Sequence, residues 1–187
     1  MRKLIATVFN YSVDGLLADE GTEFWEFCFS LPENREPDDQ AQLDFLRGAY
    51  AHVMGRTAYE GISRSMTTAT DHPFSGILNA APKVVFSRTL KTADWANTTI
   101  AAGDTTAEVD KLRQDGDGYI VVWGGVGLWR SLMRLDLIDE FLLGLHPYVA
   151  GEGTRLFDGV PTSYQLDLVS SDASSNGIVE LRYLRHR

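Results

Sequence analysis

The chain has 187 residues, 44% of them hydrophobic, which suits one domain spanning 1–187 with a substantial buried core. A formal net charge of -9 with no basic stripe argues against nucleic acid, and no apolar window is long enough for a signal-peptide core or a bilayer span; a cytoplasmic protein is expected. Cys28 is the single cysteine, and His52, His72, His146 and His186 show no paired ligand spacing, so neither an internal disulfide nor a metal centre is expected.

Lys3 to Phe9 reads as an opening strand, followed by a turn at Asp14-Gly15 and the short apolar run Leu16 to Ala18. Thr22 to Leu31 carries Phe24, Trp25, Phe27 and Phe29 among acids, and Pro32 to Pro37 interrupts any regular element, which predicts a loop or broken helix. Asp38 and Asp39 can cap a helix to about Ala51 that buries Leu43, Leu46 and Tyr50, with Phe45 and Ala49 beside them. His52 to Met54 is a short strand that ends at Gly55-Arg56-Thr57, and Ala58 to Ser65 is helix-compatible.

Lys83 to Ser87 and Thr98 to Ala101 read as strands, and Asp104 or Thr105 caps a helix to about Gln114. Tyr119 to Trp123 then runs straight into Gly124-Gly125-Val126-Gly127, which opens another helix. Glu140 to Leu145, Gln165 to Ser170 and Ile178 to Leu184 are the closing strands, with a turn at Gly151-Glu152-Gly153. Such alternation predicts an α/β fold: a mostly parallel central sheet with helices on both faces, and antiparallel additions at one edge.

Three apolar strands end in small or polar residues: Gly55-Arg56-Thr57, Ser87-Arg88-Thr89 and Gly124-Gly125. Parallel strands would bring these turns to one rim, where ligands of open α/β sheets gather. Adjacent glycines remove both Cβ atoms from a turn, and a helix beginning there aims free N–H groups outward. With Arg56 and Arg88 added, the pattern fits a small phosphorylated ligand, whereas each residue alone is equally a salt bridge or a cap. The dinucleotide fingerprint fits poorly, because Arg130 stands where its third glycine belongs, and no Gly-Lys-Ser or Gly-Lys-Thr of a P-loop occurs.

With these residues in view, the chain resembles the dihydrofolate-reductase-like superfamily, and more closely the reductase domain at the C-terminal end of riboflavin-biosynthesis RibD proteins. The resemblance extends over almost the whole chain. It is carried by Ser12-Val13-Asp14-Gly15-Leu16-Leu17-Ala18, Met54-Gly55-Arg56-Thr57-Ala58-Tyr59-Glu60, Lys83 to Leu90, Trp123-Gly124-Gly125, Leu137-Ile138-Asp139-Glu140 leading into Pro147, and Gly151 to Phe157.

The resemblance implies a three-layer dihydrofolate-reductase-like fold that binds NADPH. Ala6, Asp14, Gly15, Leu16 and Leu17 match its nicotinamide side; Gly55, Arg56 and Thr57 match the pyrophosphate and 2′-phosphate contacts; Ser87 and Arg88 match the adenosine-phosphate end. Gly124-Gly125 matches a glycine pair joined by a cis peptide, and Val126, Gly127 and Leu128 would offer helix amides to the pyrophosphate. Asp39 and Asp44 are the candidate proton donors or orienters of water, against a cap and a solvated face respectively. Phe24, Trp25, Phe27 and Trp123 are candidates to wall a flat heterocycle.

The implied activity is hydride transfer to a heterocyclic or imine-like small molecule, most nearly 5-amino-6-(5-phosphoribosylamino)uracil. A pterin reductase of the folate type, a non-catalytic NADPH-binding protein and a ligand-free structural homodimer are the alternatives; a homodimer is expected in any case. The zinc-binding HxE and PCxxC motifs of the deaminase half of bifunctional RibD are absent, so a stand-alone relative acting on another substrate is also expected.

Overall fold

A computed structural model describes residues 1–31, 38–69, 72–114, 116–160 and 163–187. Its strands are β1 (Lys3–Ser12), β2 (Ala51–Gly55), β3 (Lys83–Phe86), β4 (Thr98–Ala101), β5 (Tyr119–Gly124), β6 (Glu140–His146), β7 (Leu166–Ala173) and β8 (Val179–Arg185). They form one 8-stranded sheet in the order β4-β3-β2-β5-β1-β6-β8-β7. The first six strands pair in parallel, whereas β8 runs antiparallel to β6 and β7 antiparallel to β8.

The predicted mixed sheet is therefore present, with one correction. The strand beginning at Glu140 belongs to the parallel set, beside β1, because the helix after β5 carries the chain back before β6 starts. Only the last two strands are antiparallel.

The helices are α1 (Glu23–Ser30), α2 (Asp38–Gly48), α3 (Arg56–Thr68), α4 (Pro73–Ala80), α5 (Thr105–Arg113) and α6 (Val126–Arg134). The segment read as a loop or broken helix is thus a helix over Glu23–Ser30, capped by the Thr22 hydroxyl, which accepts from the Trp25 amide. α4 was not anticipated: Pro73 stands in its first turn, and the His72 ring caps it by accepting from the Phe74 amide. α2 ends at Gly48, short of the expected Ala51. Tyr50 is consequently not on its buried face but 48% exposed, beneath the guanidinium of Arg2 at 3.5 Å from the ring centroid.

Successive residues of a strand point to opposite faces, and the core divides accordingly. Val53, Ile120 and Val122 join Trp129, Leu132 and Met133 of α6 on one face. Met54 and Val85 pack on the other face with Tyr59 and Met66 of α3 and Leu78 of α4. The central strands are covered on both sides, which explains their near-continuous apolar runs.

One irregularity in the sheet shapes the cleft. β1 follows β6 in register from Ile5↔Glu140 to Val8↔Leu143, slips, and resumes at Tyr11↔Leu145. The slipped residues, Phe9 and Asn10, pass directly over Gly144, where a Cβ would lie 2.4 Å from the Phe9 carbonyl oxygen. Gly144 is what allows this bulge, and Phe9 and Asn10 both line the cleft. Gly144→Ala should cost roughly 1–3 kcal/mol through overpacking, read as a lower thermal midpoint. An unchanged midpoint would show that the bulge does not need the missing Cβ.

Candidate functional site

Because β2, β3 and β5 are parallel, their carboxyl ends reach one rim, and the residues that follow them line a single cleft of about 1910 Å³. Gly55, Arg56 and Thr57 come from the end of β2, Ser87 and Arg88 from β3, and Gly125, Val126, Gly127 and Leu128 from β5. α3 and α6 begin at this rim. Thr22, His72 and Asp104 cap α1, α4 and α5 with their own side chains. By contrast, glycine stands at the N-cap of both α3 and α6, and neither helix has a side-chain cap bond.

The two helix starts are in contact. A Cβ on Gly55 would lie 3.4 Å from the Gly125 nitrogen, 3.4 Å from the Leu128 Cβ and 3.5 Å from the Gly124 carbonyl oxygen. Gly124 has φ +100°, and a Cβ on it would run into the Trp129 ring at 2.7 Å. Packing and backbone both demand glycine there. Gly125 is different: a Cβ on it would meet nothing within 4 Å, and its residue borders the cleft. The Gly124-Gly125 peptide is cis.

The polar side chains of the rim are already oriented. Arg56 donates from Nε to Glu60 at 2.9 Å and from Nη1 to the Thr89 hydroxyl at 3.0 Å, yet remains half-exposed. The Ser87 hydroxyl accepts from the Leu90 amide at 3.0 Å and shapes the turn that carries exposed Arg88. The result is a local basic edge with free helix starts beside it, in an otherwise acidic chain.

The segment after β1 forms another wall, with Leu17, Ala18, Asp19 and Glu20 lining the cleft. Asp14 does not line it. Its carboxylate accepts from the Ser12 hydroxyl at 2.7 Å and from the amides of Ala150 and Gly151 at 3.0 and 2.7 Å. These bonds, the Ser12 hydroxyl foremost, hold its pKa down to about 2. Asp19 makes a second tie by accepting from the Thr154 amide at 3.1 Å, and the Leu17 amide donates to the Thr154 carbonyl at 2.9 Å. Ala6 and Leu16 are buried, and Gly15 supplies the turn at φ +82°; none of the three lines the cleft.

The aromatic candidates separate in the same way. Trp25 and Trp123 line the cleft. Phe24 is buried, stacked on Tyr148 at 5.1 Å and edge-on to His146 at 5.9 Å, and Phe27 packs on Tyr148 at 4.8 Å. Asp44 lies outside the cleft lining on the exposed face of α2, accepting from Gln40 and Arg47. Asp39 is the second residue of the same helix, and its side chain lies outside the described residues. Phe9, Asn10, Phe29, Phe45 and Phe74 also line the cleft and were not read from the sequence. Phe74 follows from the Pro73 helix start; Phe9 and Asn10 depend on a register slip that no local pattern signals.

A family model described as the RibD C-terminal domain matches residues 2–180. The chain belongs to that family. It is 29% identical over 177 residues, 92% of this chain and 89% of the other, to the uncharacterized protein YyaP of Bacillus subtilis (strain 168). Among solved structures, a putative riboflavin biosynthesis protein from Shewanella sp. PV-4 is similar at TM-score 0.78 and 22% identity, covering 99% of each chain. Dihydrofolate reductase from Enterococcus faecalis, complexed with NADP(H), is similar at TM-score 0.62 and 14% identity, covering 99% of this chain and 97% of that one. These last two likenesses establish the dihydrofolate-reductase-like fold of this RibD-family chain.

The Asp14 carboxylate makes its own prediction. Asp14→Ala should speed hydrogen exchange at the Ala150 and Gly151 amides at neutral pH, since both lose their acceptor. Because the folded pKa is depressed, the contribution of Asp14 to stability is complete above pH 3.8 and is lost as pH falls toward about 2. That part of the acid dependence should vanish in the variant; unchanged amide protection would overturn the role.

Proposed function

We propose that the protein is an NADPH-dependent reductase that delivers hydride to a flat heterocyclic or imine-like substrate, most nearly 5-amino-6-(5-phosphoribosylamino)uracil. The observation that carries this reading is the meeting of two helix N-termini, both without side-chain caps, across Gly55 and Gly125 at the edge of one cleft. Paired helix starts with bare backbone suit a pyrophosphate, to which they offer amides and the positive ends of two dipoles. Membership of the RibD C-terminal family, and a fold shared with a dihydrofolate reductase that holds NADP(H), support the same cofactor.

The residues present fit a dinucleotide phosphate. Amides of Val126 and Gly127 and the α3 start at Arg56-Thr57 would hold the pyrophosphate; the Leu128 amide already donates to the Gly125 carbonyl at 2.9 Å, so Leu128 only borders the site. Arg56 and Arg88, with the hydroxyls of Thr57 and Ser87, would hold the 2′-phosphate end, where a fork of guanidinium donors suits phosphate oxygens. When bound, NADPH supplies the hydride, so the protein's part is to bind, orient and exclude water.

The segment Leu17 to Glu20, fastened by Asp14 and Asp19, closes one side of the cleft near the nicotinamide end. Trp25 and Trp123 offer apolar ring surface to a flat substrate and keep water from the reacting face. Of the two carboxylates considered as proton donors, the reading retains Asp39, since α2 also supplies Ala41, Gln42 and Phe45 to the cleft and Asp44 is paired on the outer face.

Titration of the folded protein with NADPH and with NADH by calorimetry tests this directly. NADPH should bind more tightly, and Arg56→Ala should weaken NADPH by roughly 10–100-fold while changing NADH far less, as expected for the loss of one charge-assisted contact to phosphate. Equal losses for both would remove Arg56 from the 2′-phosphate, and a folded protein that binds neither would end the reductase reading.

A further inference from the structure

Trp123 is set apart from the rest of β5 by its pairing with β2. Val53 stands opposite Val122 and Met54 opposite Gly124, so Trp123 is the extra residue of a bulge immediately before the glycine pair. Bulges re-aim side chains. The Trp123 ring lies on the cleft wall with Phe9 at 5.3 Å and Phe74 at 6.4 Å between ring centroids, and all three residues line the cleft.

The one polar atom of that ring points inward. Trp123 Nε1–H donates to His52 Nδ1 at 2.9 Å, and His52 is fully buried on β2. An indole nitrogen can only donate, so His52 Nδ1 must be unprotonated. Burial first, and then the charge of Lys83, keep the His52 ring neutral by lowering its pKa to about 4, against a smaller opposite effect of the Leu46 carbonyl. Lys83 faces His52 from β3, where its own ammonium group donates to the carbonyls of Leu78 and Ala81. His52 itself does not line the cleft, so anything it does there passes through Trp123.

Every inward-facing indole N–H needs an acceptor, as Trp129 and Trp95 also show by donating to the Val122 carbonyl and to Asn79; at Trp123 the ring that is held this way also faces the cleft. If the indole rotated on the cleft wall, a buried Nδ1 would lose its donor and the indole N–H its acceptor, so the pair holds one orientation. We propose that His52 is a positioning residue that locks the indole of Trp123 as a flat wall for a planar, ring-bearing substrate next to the glycine turn. The substrate part of this inference rests on the reductase reading of the cleft; the lock does not.

The test uses the full chain with ¹⁵N-labelled indoles, the Trp123 resonance being assigned by its loss in Trp123→Phe. His52→Leu removes the acceptor. His52→Asn restores one, because its amide oxygen stands near the position of Nδ1. The Trp123 indole N–H should exchange slowly in the wild type and in His52→Asn and fast in His52→Leu. Lumazine, a planar pteridine, serves as the ring probe: its affinity should fall roughly tenfold in His52→Leu and return in His52→Asn. NADPH affinity should stay the same in both variants, since its proposed contacts are the glycine turns and arginines.

Should His52→Leu fail to fold, His52→Phe replaces it, a ring of similar size with no acceptor. Slow indole exchange in the variant lacking the acceptor overturns the lock. Lumazine affinity that is unchanged in that variant, or absent in the wild type, overturns the wall. Loss of NADPH binding in the wild type would instead strike the reductase reading, and the indole resonance would still decide the role of His52.

Discussion

Where β2 and β5 lie side by side, both must turn into helices within a single strand spacing, and the two turns touch: a Cβ on Gly55 would already be in contact with the Gly125 nitrogen at 3.4 Å. Gly55 and Gly124 are the solution to that crowding. One lies against the backbone of the other turn, and the second lies against the ring of Trp129 in a conformation that disfavours any side chain. Gly125 then follows with no neighbour on its cleft side, so the main chain stays bare where α6 begins. The basic edge, the free helix starts and the aromatic wall are all arranged around this junction.

Attachments elsewhere in the fold keep the other walls in place. The segment after β1 would be a long surface excursion without Asp14 and Asp19, whose carboxylates take backbone amides from the 150–154 region. Each acid thus adds to the isolated bridges that pair Leu17 with Tyr11 and Leu16 with Arg155, and satisfies amides those bridges leave over. On the far side, Gly144 makes room for the Phe9-Asn10 bulge, which sends Phe9 against Trp123. Two slips in register, one in β1 and one in β5, therefore place Phe9 and Trp123 in the cleft.

Much of this was legible in the sequence because parallel central strands announce themselves as apolar runs ending in glycine or polar residues. Val53-Met54, Val84 to Phe86 and Val121-Val122 did so, and their ends meet as expected. Local pattern failed where a partner distant in sequence decides the outcome. Asp14 matches the nicotinamide side through its backbone, and no local pattern announces that its carboxylate takes amides more than a hundred residues away. Phe24 looked available in an acidic, aromatic stretch, but Tyr148 and His146 cover it. Asp44 took the bland alternative, a solvated helix face, because Arg47 stands one turn along the same helix. The pairing of Trp123 with His52 joins two strands at a bulge, and nothing in either strand's own sequence indicates it.

Backbone amide resonances followed during NADPH addition test the helix-start junction as an anion site most directly. The largest shifts should fall on Thr57, Val126 and Gly127, with smaller ones along Ser87 to Thr89, and inorganic pyrophosphate alone should move the first group in the same direction. Shifts confined to other parts of the sheet, or none at these amides while NADPH binds, would contradict it.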